Sequence, residues 1–237
     1  MELIFLDTET TGNDVEKDYL CQVCYRVKDK THVGYFKPPI PVSVKAMSIT
    51  HITNHMLEGK ETFSESQMKK DLADLFVEGV MVAHNAKFDR AILEKEGLKI
   101  PTFICTLRVA RYLDQKNLIP EYNLQFLRYF LDLKVDGHAH DAEGDVNVLY
   151  AVFERLLSKM IESCGDRETA IQKMIDVSAR PTLFTVFPFG KHKDKKIEDV
   201  LRSNPDYLEW FLKQKITEGG TDEDWIHTMR HFLGINE

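Results

Sequence analysis

Leu3-Ile4-Phe5-Leu6-Asp7-Thr8-Glu9 decides how the chain is read. Its first four residues form a short continuous apolar run, the signature of a strand buried on both faces. That run leads straight into two acids separated by one residue. Alternate residues of an extended backbone share a face, so Asp7 and Glu9 point the same way. Two carboxylates at a strand end suit hard cations such as Mg²⁺ or Mn²⁺, which prefer oxygen ligands. For this pair alone, a solvated strand end is the plainer reading.

Working outward, Gly12-Asn13-Asp14 is a turn, and residues 19–27 and 31–36 are β-rich runs around Lys28-Asp29-Lys30, which predicts a hairpin. Residues 64–77 repeat at helical spacing through Met68, Leu72, Leu75 and Phe76, with Ser64 as the expected cap and Gly79 as the stop. A buried strand is predicted at 80–83, a helix at 86–96, a brief strand at 102–105, helices at 107–112 and 124–131, and a long helix from about 142 to 160. Three leading β-runs followed by alternating helices and strands predict an α/β fold whose sheet mixes antiparallel and parallel strands.

The chain has 237 residues, room for one large domain or one domain plus a small one. Hydrophobic residues make up 43% and charged residues 29%, as in ordinary globular proteins. No apolar run reaches bilayer length, and the start has neither a basic segment nor a small-residue cleavage site, so a cytoplasmic protein without a membrane partner is expected. Cys21 and Cys24 have C-x-x-C spacing, but residues three apart on a strand face opposite ways, so free buried thiols are expected. The net charge of −7 argues against a protein that coats nucleic acid broadly, though not against an enzyme that grips one end of it.

A boundary is expected between about 162 and 180. The division is 1–163 as the main domain, 164–180 as a helical linker, and 181–237 as a small C-terminal aromatic and basic module. In that module Phe189, Lys191, Lys193, Lys195, Lys196, Tyr207 and Trp210 interleave rings with positive charge. Such a pattern fits stacking on bases along a phosphate chain, a packed subdomain with solvated lysines, or a face for a partner protein.

Two further clusters carry chemistry. Val82-Ala-His-Asn-Ala-Lys-Phe-Asp89 passes from strand to helix, with Asp89 in the first helical turn near the positive end of the dipole. His140-Asp-Ala-Glu-Gly-Asp145 runs from a loop into the long helix, and spacing alone does not choose among His138, His140 and their acidic neighbours. Singly, a capping acid and a surface histidine are the plainer readings. In order and spacing, however, Phe5-Leu-Asp-Thr-Glu-Thr-Thr-Gly12, His84-Asn-Ala-Lys-Phe-Asp89 and His140 with Asp145 closely resemble the three motifs of the DEDDh 3′→5′ exonuclease family. That family includes proofreading subunits of bacterial polymerases, ribonuclease T, oligoribonuclease and exonuclease X.

The resemblance implies a ribonuclease-H-like fold: a mixed five-stranded sheet flanked by helices, here with a small C-terminal subdomain. It implies that Asp7, Glu9, Asp89 and Asp145 hold two divalent cations, Mg²⁺ or Mn²⁺, and that His140 is the general base of phosphodiester hydrolysis. It also implies that Thr10, Thr11, Asn85 and Phe88 contact or support the terminal nucleotide. The segments around Ala46-Met47, Ile104-Cys-Thr106, Phe187-Pro-Phe-Gly-Lys191 and Pro205-Asp-Tyr-Leu-Glu-Trp210 resemble the exonuclease X branch, which implies DNA with a free 3′ end as the partner, in repair or proofreading. Two rival functions are an RNA-trimming enzyme with the same site and a non-catalytic polymerase-associated module. The latter would be expected to lack an acid, and all four are present.

Overall fold

The computed structural model describes residues 1–135, 142–218 and 222–235. Strand β1 spans Leu3–Thr10, β2 Leu20–Val27, β3 Lys30–Tyr35, β4 Val80–Ala83 and β5 Phe103–Cys105. They form one five-stranded sheet in the order β3-β2-β1-β4-β5. β1 pairs antiparallel with β2, and β2 with β3, whereas β1–β4 and β4–β5 are parallel. The leading hairpin and the mixed sheet are those expected from the sequence.

The helices are α1 (Val44–Thr50), α2 (Gln67–Leu75), α3 (Ala86–Lys95), α4 (Thr106–Leu113), α5 (Leu124–Phe130), α6 (Ala142–Cys164), α7 (Arg167–Ser178), α8 (Ile197–Ser203), α9 (Pro205–Thr217) and α10 (Glu223–Leu233). Helices of the first unit cover both faces of the sheet, which is why the first half of β1, Leu3–Leu6, is apolar without interruption. Ile4 and Leu6 pack with Leu72 and Phe76 beside Ile92 and Leu93 of α3, whereas Phe5 packs with Val146, Leu149, Val152 and Phe153 of α6. Phe5 meets Phe153 edge to face at 5.1 Å between ring centroids. The same alternation separates Cys21 from Cys24: neither forms a disulfide and both are buried, in different clusters.

The start of α2 differs from expectation. Ser64 lies in a 3-10 turn (Phe63–Glu65), and the cap is Ser66, whose oxygen accepts from the Lys69 N–H at 3.1 Å while its hydroxyl donates to the Phe63 carbonyl. Past α2, the Gly79 N–H bonds to the Leu75 carbonyl, and a Cβ at Gly79 would lie 2.4 Å from that oxygen, so only glycine fits there.

Two compact units divide the chain: Met1–Asp114 with Ile119–Ala179, and Gln115–Leu118 with Arg180–Glu237. The stretch 164–180, expected as a linker, contains α7, and α7 is built into the first unit. Its Ala170 and Met174 are buried with α6, the Cys105 N–H donates to Ser178 Oγ at 2.8 Å, and Arg108 donates to the Ser178 carbonyl. The second unit has its own core, in which Phe187, ahead of α8, packs with Ile197, Val200, Leu208, Phe211, Leu212, Trp225 and Met229 of α8 to α10. Among the described residues no helix is long and apolar enough to cross a membrane.

Candidate active site

The register between β1 and β4 ends at Phe5 opposite Val82, but β1 runs on to Thr10. Ligands of open α/β sheets bind beyond such carboxyl ends of parallel strands. Asp7 and Glu9 continue the face of Phe5, the side covered by α6, and Asp145 stands in the first turn of α6. Asp89 comes from the other side. β4 ends at Ala83, the chain turns through Asn85 in the left-handed region (φ 62°), and α3 begins with Asp89 in its first turn. Thr8 faces that side, and its backbone N–H (3.1 Å) and hydroxyl (2.7 Å) both donate to Asp89 Oδ1.

Four acids from three elements therefore come close enough for their charges to act on one another. Asp89 and Asp145 are buried, at 4% and 8% exposure, where an unpaired carboxylate is costly. Burial, and then the fields of Asp89, Glu9 and Asp145, hold the Asp7 carboxyl well above its usual range. Burial and the charges of Asp145 and Asp89 push Glu9 up to about 7. Burial also raises Asp89, against the lowering effect of the Thr8 hydrogen bonds. Asp145 accepts a 2.6 Å hydrogen bond from Gln125 Nε2 of α5. All-oxygen donors that repel one another fit small, hard, doubly charged cations, which would bind to oxygen and cancel the repulsion. Among the described residues no three acidic, histidine or cysteine side chains are drawn in to ligand spacing, so the acids share a field rather than a preformed coordination shell.

The other expected site residues fall out differently. His140 lies outside the described residues. Thr10 and Thr11 follow the acids directly and are buried, with their hydroxyls engaged inside the protein: Thr10 donates to the Gly12 carbonyl, and Thr11 donates to Asp18 Oδ1 at 2.8 Å and accepts from the Tyr19 N–H. Asn85 is exposed at the start of α3 and its side chain makes no cap bond. Phe88 is half-buried against the core on the α2–α3 side. His84, in the same motif, is structural. Its Nε2 lies 2.7 Å from the Tyr122 carbonyl and so carries the proton, leaving Nδ1 to accept from Thr106 Oγ1. Burial pushes its pKa down to about 4, which keeps the ring neutral. Thr8 and Gln125 touch the acids directly and were not singled out from the sequence. The one signal for Thr8 was its place between Asp7 and Glu9.

Comparison with known proteins places the chain among exonucleases. The exonuclease family model matches residues 4–153, and the model of the exodeoxyribonuclease X-like C-terminal region matches residues 187–215. Exodeoxyribonuclease 10 of Escherichia coli (strain K12) is 30% identical over 204 residues, covering 83% of this chain and 82% of that protein. A PolC-type DNA polymerase III of Thermotoga maritima is 30% identical over 224 residues, covering 88% of this chain but 16% of the polymerase. Among solved structures, exonuclease X in complex with 5′-overhanging duplex DNA superposes with a TM-score of 0.56 at 25% identity, covering 74% of this chain and 99% of that one. Product-bound exonuclease I shares the fold, with a TM-score of 0.55 at 18% identity over 72% of this chain and 48% of that one.

The five-stranded sheet and the exonuclease family match together define a nuclease, a phosphodiester hydrolase on a ribonuclease-H-like scaffold. The chain belongs to the exonuclease family, whose members generally use divalent metal ions.

Proposed function

We propose that this protein is a 3′→5′ exodeoxyribonuclease that releases nucleoside 5′-monophosphates one at a time from DNA 3′ ends. The observation that carries it is the convergence of Asp7 and Glu9 with Asp89 and Asp145, which come from three distant stretches of sequence to where their charges act on one another. DNA as the substrate is supported by the likeness to exodeoxyribonuclease 10 over most of both chains, and by the likeness to an exonuclease X solved with duplex DNA. The likeness to PolC-type polymerase segments fits a place in repair or proofreading.

In this reading the four carboxylates hold two divalent cations, Mg²⁺ or Mn²⁺. When bound, these supply positive charge to the scissile phosphate and make a water a stronger nucleophile at neutral pH. The protein's own part is positioning and proton transfer. Thr8 fixes the Asp89 carboxylate and Gln125 that of Asp145, so both acids are set before substrate arrives. His140, five residues before Asp145, is assigned as base from its sequence position: it takes the proton of the water that attacks phosphorus as the bond to the 3′-oxygen breaks. A 5′-mononucleotide leaves, and the shortened strand ends in a new 3′-hydroxyl. Exposed Asn85 is the proposed contact to the sugar–phosphate chain; Thr10 and Thr11, tied down inside the protein, shape the strand end beside it, and Phe88 supports it by packing.

Digestion of 5′-labelled DNA and RNA oligomers, with and without Mg²⁺ or Mn²⁺, tests the proposal. A metal-dependent ladder of shortening DNA is expected. Rapid loss of RNA beside inert DNA would reassign the substrate, and intact strands of both kinds would refute the activity.

A further inference from the structure

We infer that the second unit carries a separate binding face for a single nucleic-acid strand, formed by residues 189–196 and the exposed edge of α9. The face begins with its charge. Residues 187–196 hold four lysines against one aspartate, in a chain whose net charge is −7. Lys191, Lys193, Lys195 and Lys196 are all exposed, and none has a carboxylate within ion-pair distance among the described residues. Elsewhere in the same unit the pattern is the opposite. Arg202 pairs with Glu198 at 2.6 Å and with Asp199, and Lys215 pairs with Asp222 at 3.0 Å and with Glu218. A cluster of unpaired like charges raises its own electrostatic energy, and a polyanion relieves it.

The rings supply the second half. Phe187, Phe211 and Trp225 are buried at 0%, 6% and 5% exposure, yet Phe189 and Trp210 of the same aromatic cluster stand 42% and 52% exposed. Both lean on Phe211 at a tilt, with ring centroids 6.1 Å and 6.5 Å away and ring planes 47° and 46° apart, so each is anchored at one side and keeps surface open to solvent. Exposed rings on a firm base among lysines are what a stacking platform needs, because every base has a π-face and every phosphate a charge.

The segment is also built to hold its shape. The Phe187 N–H bonds to the Lys195 carbonyl, the Asp194 N–H to the Phe187 carbonyl at 2.7 Å, and Val186 bridges Lys196. Gly190 takes a left-handed φ of 72°, and the His192 ring is buried edge-on against Tyr207 at 4.5 Å. Turning His192 inward leaves the neighbouring lysines outward, on backbone already ordered before binding. The inference stands apart from the catalytic reading: a chain that held strands here without cutting them would leave it intact.

The test is fluorescence anisotropy with a labelled thymidine oligomer longer than the roughly 4–16 nucleotides such platforms cover, using the full chain carrying Asp7→Asn, in EDTA and over a salt series. Trp210→Ala and Phe189→Ala should each weaken binding about tenfold, with Trp210→Phe restoring most of it. Lys191→Ala and Lys193→Ala should each lower the slope of log affinity against log salt by about 0.7, and the arginine variants should keep it. All four side chains are exposed, so melting temperatures should stay at the parental value. Equal affinity and equal salt slope in parent and variants would overturn the inference and leave the face to a protein partner.

Discussion

The two units concentrate charge in opposite ways. In the first, four carboxylates are brought together at the end of β1, two of them buried; burial raises the pKa values of Asp7, Glu9 and Asp89, and the neighbouring acids' charges raise those of Asp7 and Glu9 further. In the second, four lysines stand in water on a short ordered segment beside two half-exposed rings. A buried anionic cluster can be relieved only by something small enough to enter, which selects hard cations. An exposed cationic one is relieved along its length, which selects a flexible polyanion. Opposite sign and opposite burial thus call for different ligands, and a nucleic-acid strand with its metal ions would satisfy both.

The sharpest way to break this contrast is to remove one acid. Asp7→Asn should lower activity on 3′-ended DNA by about a thousandfold or more, measured as initial rates with saturating Mn²⁺. The same variant should melt at a higher temperature than the parent without metal at pH 8, because one of four repelling carboxylates is gone. A variant that loses activity and also loses metal-free stability would mean that Asp7 is held by favourable contacts and not by strain.

The next effect concerns the two cores. Phe153→Ala, beneath the sheet, and Phe187→Ala, at the centre of the second unit, should each cost about 3–5 kcal/mol in chemical denaturation. Phe187→Ala should leave the acid pocket intact, read as unchanged Mn²⁺ affinity.

Much of the first unit was legible because its signals are local. The apolar run at Leu3–Leu6, the alternation of Asp7 and Glu9, and the helical spacing through Leu72 are short-range patterns, and the sheet follows from them. Helix α1 was missed because it buries little: Ala46 and Thr50 are its buried residues, Val44 is 78% exposed, and so no apolar stripe marks it. The cap of α2 fell two residues late because Ser64 and Ser66 are both acceptable caps in sequence, and only the 3-10 turn between them decides. The helices of the second unit were not told apart in the sequence, because its aromatic residues crowd three short helices around a single centre and no long apolar stripe separates them. Within the site, the acids were found through a resemblance that spans three motifs, but their supports were not. Thr8 reaches Asp89 across 81 residues and Gln125 reaches Asp145 across 20, and no local pattern records such pairings.

Gln125 gives the smallest and most discriminating effect. Gln125→Leu keeps the size of the side chain but removes the 2.6 Å bond to Asp145. It should weaken Mn²⁺ binding about tenfold in calorimetric titration, with Gln125→Glu weakening it less or strengthening it by adding a carboxylate. An unchanged affinity would show that Asp145 needs no positioning.

The most direct measurement is the melting temperature as a function of pH, with and without millimolar Mn²⁺. Glu9 moves from an ordinary value of 4.5 to about 7 on folding, so without metal its share of stability is greatest below about pH 4.5 and is lost as pH rises through 7. Asp7 and Asp89, also raised, act in the same direction. Mn²⁺ should reverse that loss, and at a hundred times its dissociation constant should add about 2.7 kcal/mol at pH 8. Curves that rise with pH in the absence of metal, or that Mn²⁺ leaves unmoved at pH 8, would contradict a pocket of repelling carboxylates that divalent cations neutralise.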